Sequence, residues 1–548
     1  MSRRWGIEMA ICLAAASALC TSSRASIQGS PHDLSAVAGG AACSFCHTPH
    51  GALPGTPLWS RKLSTAVYKI YESSSLEARV GQPTGASKLC LSCHDGTVAL
   101  TETITGVSGS TYISPGSANL GTDLSDDHPI SFVYSSGLSA QDPQLRPPFG
   151  LPEALELDRS GELQCTTCHD PHDNRYGDFL VMSNERSQMC TSCHDLDGWL
   201  SSAHQSSSVP VVGADDPYLQ TGEHSSLAEA GCLTCHRPHG AGGHERLLHF
   251  PRMEDNCLNC HNGLVASNIR ADLLKLSRHN VFRYRNIHDP REIPSAAPMH
   301  VECADCHNPH ALQRTPAQAP MIPGAMQGVS GITLTGAVIP SAQFEYEVCF
   351  KCHADNPERP QSNVTRQITQ TNSRLEFDPS GPSFHPVAAP GVNPNVPSLR
   401  PPLTVATLIY CTDCHSSDSP STAKGPHGSI YPHLLAGRYE TSDFTPESSS
   451  SYELCYRCHS RNSILGDESF AAHREHLENE VPCSACHDPH GISASQGTGL
   501  NNSHLINFDV AIVQPDPDTG RRVFEDLGVV RGRCFLSCHG RKHSPEEY

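Results

Sequence analysis

The chain has 548 residues and a formal charge of −19, with only 37% apolar and 6% aromatic content against 42 glycines and 43 prolines. Its length would fill roughly two to four ordinary domains, but this composition cannot build a large side-chain core, so the chain stays loose or folds around something that is not protein. The acidic balance disfavours nucleic acid and suits a basic protein or a cationic acceptor.

In chain order, residues 1–25 read as an export leader: Arg3 and Arg4 precede the apolar run MAICLAAASALC, and Ser23 and Ala25 are small enough for cleavage after Ala25. The remaining chain would carry a charge of −21. Cys20 has two readings, a lipid-anchored cysteine or a residue that leaves with the leader, as Cys12 does. No later run reaches the roughly 18 apolar residues of a membrane span.

Beyond the leader a repeat organises everything. C-x-x-C-H occurs eleven times, and a twelfth, stretched copy reads CFLSCH. The motifs use Cys43 and Cys46, Cys90 and Cys93, Cys165 and Cys168, Cys190 and Cys193, Cys232 and Cys235, Cys257 and Cys260, Cys303 and Cys306, Cys349 and Cys352, Cys411 and Cys414, Cys455 and Cys458, Cys483 and Cys486, and Cys534 and Cys538. None of the 24 cysteines after the leader is left over for a disulfide or a catalytic thiol.

The motifs alternate in kind. Odd-numbered ones are followed by x-Pro-His, as in CTTCHDPHD and CLTCHRPHG, with the Pro-His displaced after the ninth; even-numbered ones lack it. The chain therefore divides into six double units, 26–160, 161–215, 216–290, 291–400, 401–475 and 476–548, whose first cysteines are spaced by 47, 25, 25, 46, 44 and 51 residues. Insertions rich in Gly, Pro, Ser and Thr predict loops or short strands, and GITLTGAVI is the best hairpin candidate. Helical signals are brief and sit at the cysteines, as in NERSQMCTSCHD and SYELCYRCHS.

Three chemistries use such cysteines. Structural zinc needs knuckles converging on one ion and does not require a histidine after every second cysteine. A thioredoxin-like site needs one C-x-x-C in a βαβ setting. Covalent c-type haem needs the whole motif: two thioethers to the vinyl groups and an adjacent histidine on iron. Cysteines at i and i+3 share a helix face, and so do Cys534 and Cys538 at i and i+4. Histidine follows in all twelve copies, and free thiols would oxidise outside the cytoplasm, which favours haem over zinc. The expected cofactors are twelve covalent haem c groups with their iron. The expected fold is mostly irregular, with short α-helices and long loops wrapped around a chain of haems and few short β-hairpins.

The alternating CxxCHxPHG…CxxCH layout resembles the paired-motif, multihaem c-type cytochromes of anaerobic metal-respiring bacteria. The ending RGRCFLSCHGRKHSPEEY is similar to their C-terminal haem segment. The likeness runs through the whole chain after the leader and departs at the stretched motif and at the displaced Pro-His near His427.

The proximal iron ligands read from the motifs are His47, His94, His169, His194, His236, His261, His307, His353, His415, His459, His487 and His539. With 33 histidines and eight methionines, most or all irons are expected to be bis-histidine. Six distal candidates are the Pro-His residues His50, His172, His239, His310, His427 and His490; five of these follow their own motif histidine too closely to fold back on the same haem and would reach a neighbouring one. A second set, His128, His204, His279, His385, His473 and His543, follows the even motifs, and His32, His224, His300 and His476 stand in reserve.

With about 44 residues per haem, porphyrin faces must supply much of the interior. The leading expectation is an electron-transfer conduit of anaerobic respiration, with no catalytic residues. It would be exported and would work in the periplasm, at the outer membrane or outside the cell. Its partners would be other cytochromes or redox proteins, an outer-membrane porin or an extracellular metal oxide, or further copies of the chain in an oligomer or filament. Ionised propionates would take the charge to about −33 and make docking salt-sensitive. The alternative is a multihaem reductase or oxidase of small nitrogen or sulfur compounds with one open haem.

Overall fold

The computed structural model describes residues 27–548 except 39–40, 107–108, 285–287, 290–291, 294–295 and 297. The expected leader, with Cys12 and Cys20, lies outside the described residues. The chain groups into two compact bodies. One comprises the described residues up to Leu196 with Ala228–Pro251; the other comprises Asp197–Leu227 with Arg252–Tyr548.

In the first body the α-helices that carry motif cysteines are α1 (Ala42–Cys46), α2 (Gly85–His94), α3 (Cys165–Cys168) and α4 (Gln188–Cys193). One antiparallel ladder, β1 (Phe132–Val133) with β2 (Glu162–Leu163), closes a small cluster of Phe132, Tyr134, Leu138 and Leu163. The helices are short because each motif ends its own helix: at His47, His169 and His194 the backbone turns extended as the C-cap. A cap with β-region dihedrals stops propagation and points the imidazole away from the turn that holds the sulfurs.

In the second body the helices include α5 (Met253–Leu258), α6 (Glu345–His353), α7 (Cys411–Cys414), α8 (Glu453–Tyr456) and α9 (His473–Glu478). Its ladders are two-residue pairs, β3 (Ser277–Arg278) with β7 (Gly428–Ser429), β4 (Gly331–Ile332) with β5 (Val338–Ile339), and β6 (Ser383–Phe384) with β8 (Gly491–Ile492). A three-stranded antiparallel sheet ends the chain, β9 (Val523–Asp526), β10 (Gly532–Cys538) and β11 (Arg541–Glu547), with β10 in the middle. The expected GITLTGAVI hairpin is the β4–β5 pair. Motifs seven and eleven of this body sit on single 3-10 turns at Cys303–Asp305 and Cys483–Ala485, as motif five of the first body does at Gly231–Thr234.

One local expectation fails. Cys534 and Cys538 do not share a helix face; they lie on the central strand β10. The turn that follows explains it: His539 (φ 49°) and Gly540 (φ 74°) connect Cys538 to its partner Arg541, the double positive-φ geometry of a tight two-residue hairpin. The glycine supplies what a helix would have excluded.

Among the described residues no apolar cluster exceeds seven buried side chains. The larger two centre on Phe350 and Phe377 and on Phe508 and Phe524, and both have a motif cysteine packed against them. No described helix is long and apolar enough to cross a membrane.

Candidate functional site

The odd motifs share one local design. After C-x-x-C, the motif histidine forms a single antiparallel bridge to an apolar residue farther on: His47 to Trp59, His169 to Leu180, His236 to Leu248, His415 to Leu435 and His487 to Ile506. In each case the imidazole Nδ1–H donates to the carbonyl two residues before that partner. The acceptors are Pro57 at 2.6 Å, Asp178 at 2.7 Å, Arg246 at 2.7 Å, His433 at 2.8 Å and His504 at 2.9 Å. His307 donates likewise to Ala325 at 2.7 Å, and His94, of the second motif, to Ala118 at 2.6 Å. Fixing Nδ1 leaves Nε2 as the coordinating atom and sets the plane of the ring.

The acceptor loops are strained to do this. Leu58, Asp178, Phe179, Arg246, Leu247, His433, Leu434, His504 and Leu505 all have φ between 45° and 64°. A left-handed non-glycine residue costs about 1–2 kcal/mol, and such strain gathers where surrounding structure needs an unusual backbone direction. These loops were not singled out in the sequence. Their trace is a short x-Leu-Leu or x-Leu-Ile step after odd motifs, as in ERLL, PHLL and SHLI.

Among the described residues, nine motif histidines face a second imidazole with ring centroids 6.0–6.4 Å apart. The pairs are His47 with His172, His94 with His32, His169 with His239, His194 with His128, His307 with His427, His353 with His279, His415 with His490, His459 with His385 and His487 with His473. Two imidazoles on one metal, each with a nitrogen about 2 Å from it, have centroids roughly 6 Å apart. The residues present therefore fit bis-histidine haem. Eight of the nine facing rings are among the twelve distal candidates. The ninth, His32, comes from the reserve set.

Elsewhere, His50 is exposed, His310 lies edge-on to Trp199 at 6.2 Å, and His261 is held below its usual pKa by burial and by the nearby His204 and His307.

The partners are staggered along the sequence. Pro-His of one double unit faces the odd motif of the preceding unit, as in His172 opposite His47 and His490 opposite His415. The proline has its own part. Its carbonyl accepts from Nδ1 of a second histidine: Pro171 from His32 at 3.2 Å, Pro309 from His204 at 3.0 Å, and Pro489 from His385. One dipeptide thus presents an imidazole in one direction and orients another with its carbonyl.

Electrostatics favour coordination. Burial holds His194, His279, His353, His415, His427, His459, His473 and His487 at about 4, so all are neutral near pH 7. Burial also acts downward on His490, but Glu376, 3.1 Å from its Nδ1, overrides it and lifts the group to about 9. His239 Nδ1 lies 2.9 Å from Asp127 Oδ1.

The cysteines show how successive motifs meet. None of the 24 described is in a disulfide; these thiols are the atoms that become thioether sulfurs. First cysteines of neighbouring units act on one another: Cys165 raises Cys90, Cys232 raises Cys190 and Cys411 raises Cys349. Within units the second cysteines lie within electrostatic reach of each other. Burial and Cys93 raise Cys46 to about 11; burial and Cys193, and burial and Cys458, raise Cys168 and Cys414 to about 12. Successive motifs thus bring their cysteines near one another, both inside units and between them.

No curated protein matches the chain. The family described as the doubled CXXCH motif matches residues 159–198, 224–266 and 402–463, which hold motifs three and four, five and six, and nine and ten. Those segments make up 145 of the 548 residues, and the same paired motifs recur along the rest of the sequence, which supports a multihaem c-type cytochrome with a role in electron transfer.

Proposed function

We propose that this cytochrome holds twelve haems and works as an exported conduit in anaerobic respiration, passing electrons between redox partners along the series of haems that each body carries. The observation that carries the reading is that cysteines of successive motifs lie within electrostatic reach of one another. In the first body it links motifs one to five in order, through Cys46 and Cys93, Cys90 and Cys165, Cys168 and Cys193, and Cys190 and Cys232. In the second body it continues from motif seven to motif twelve, through Cys306 and Cys352, Cys349 and Cys411, Cys414 and Cys458, Cys455 and Cys483, and Cys486 and Cys538. Thioether sulfurs mark a porphyrin edge, so adjacent sulfurs place adjacent macrocycles edge to edge.

Haem supplies one-electron iron chemistry when bound. The residues of the chain do the rest. Cysteine pairs would fix each macrocycle, imidazoles offer Nε2 from two sides, and backbone carbonyls or carboxylates hold Nδ1 in pairs such as those of His47 and His415. Nine facing imidazole pairs support a carrier whose irons are six-coordinate rather than an enzyme with an open site. The acidic surface supports cationic partners, including another cytochrome, a porin-bound acceptor or a metal oxide.

The test uses purified, haem-loaded protein. A pyridine haemochrome assay with intact mass should give twelve haems per chain, and paramagnetic resonance should show low-spin iron. Prompt oxidation of the reduced protein by a soluble ferric chelate should follow. Fewer haems, or a high-spin centre that turns over nitrite or sulfite, would instead favour the reductase reading.

A further inference from the structure

The twelfth motif is built unlike the others. It lies on β10, and its histidine is the first residue of the two-residue turn into β11. At that tip the ring of His539 stacks on Phe444, with centroids 4.4 Å apart and planes 12° apart. Its Nε2–H donates to Asp443 Oδ1 at 2.8 Å. The seven motif histidines described above as bonded to a carbonyl use Nδ1 and keep Nε2 for iron. His539 has the coordinating nitrogen engaged.

Four residues on, His543 stands opposite Leu536 in the β10–β11 register. Cross-strand partners share a face, and Leu536 shares it with Cys538 two residues away. Cys534, Cys538 and Leu536 belong to one apolar cluster with Cys486. His543 is only 4% exposed, and its ring lies 6.3 Å from that of His476, with planes 20° apart. Both Nδ1 atoms are engaged. That of His476 donates to the Ala472 carbonyl at 2.6 Å, and that of His543 lies 2.7 Å from the Glu546 carboxylate and 2.8 Å from the Tyr548 hydroxyl. The separation matches that of the nine pairs built on motif histidines, and the anchoring of both Nδ1 atoms matches the pairs of His47 with His172, His94 with His32, His169 with His239 and His415 with His490, yet neither residue belongs to a motif.

We infer that the haem on Cys534 and Cys538 is ligated by His476 and His543, with His539 held off the iron by Asp443 and Phe444. The inference rests on the twelve-haem reading and changes one ligand set within it. The hairpin gives the reason: a motif histidine at the tip of a tight turn faces away from the strand surface that bears the two sulfurs, whereas the return strand brings His543 onto that surface.

The experiment uses the full haem-loaded chain. Intact mass is read first, so a shortfall of haems in the unmutated protein would count against the twelve-haem reading and not against this inference. His476→Gly and His543→Gly should each convert one haem in twelve to high spin, and added imidazole should restore each low-spin signal. The double variant should also show one high-spin haem, because both side chains serve the same iron. In a Cys534→Ser/Cys538→Ser background, which carries eleven haems, His543→Gly should add no high-spin signal. A fully low-spin spectrum from either single variant, two high-spin haems in the double variant, or a new high-spin signal in the serine background would overturn the assignment.

Discussion

At His172 the physical argument is local. The ring is half exposed, 3.2 Å from Asp170 Oδ1, and it faces His47 at 6.1 Å with planes 19° apart. His172→Ala removes little packing, so its effect should fall on the iron: paramagnetic resonance should show one haem moved from low to high spin. Glu345 behaves differently. It is 1% exposed, and burial raises its pKa to about 7 despite hydrogen bonds from Thr412. A raised carboxyl contributes stability fully present below its unfolded value and lost as the pH rises through 7. The haem-loaded protein should therefore lose about 1–3 kcal/mol between pH 5 and pH 8, and Glu345→Gln should flatten that part of the melting profile; identical profiles would exclude the group. The imidazole pairs could be read in outline from the sequence, because a Pro-His three residues after a motif histidine cannot reach the same iron. That the proline carbonyl would orient a second histidine could not, since backbone acceptors leave no trace in residue type.

At the scale of elements, the glycine after Pro-His is fixed by close approach. In β7 and β8 it follows His427 and His490 directly. A Cβ at Gly428 would run into the Asp272 carbonyl, and one at Gly491 into the Glu376 carbonyl. Both strands pair with the strands that lead into His279 and His385, so each two-residue ladder holds two iron-facing histidines together. Gly428→Ala or Gly491→Ala should cost about 1–3 kcal/mol by overpacking, with spectral change at the haems served by those histidines and none elsewhere. Short helices at the cysteines and the β4–β5 hairpin were legible because periodicity and turn residues are local signals. The β10–β11 hairpin was misread because i, i+4 spacing suits a helix as well as a strand face, and only the His539–Gly540 turn decides between them. The strained acceptor loops were missed for a related reason: leucine in left-handed backbone contradicts its own preference, and only the bridge to the motif histidine imposes it.

At the scale of the whole molecule, the described chain has apolar clusters of at most seven buried residues where a chain of this size would ordinarily have large cores. Porphyrin must take their place. The chain made without haem attachment should therefore show no cooperative unfolding and be cut rapidly by protease, whereas the loaded protein should melt sharply; a sharp melt of the haem-free chain would show that side chains alone suffice. Composition had already indicated this, since few aromatic residues and many glycines and prolines cannot account for a compact 548-residue protein.

The stagger of the Pro-His partners imposes a parity rule. Each double unit lends its Pro-His to the odd motif of the unit before it, so cutting out 401–475 would still leave His307 a Pro-His, that of His490, to recruit. Excising a lone motif would leave an orphaned imidazole. Lineages of such cytochromes should then lengthen or shorten by two motifs at a time.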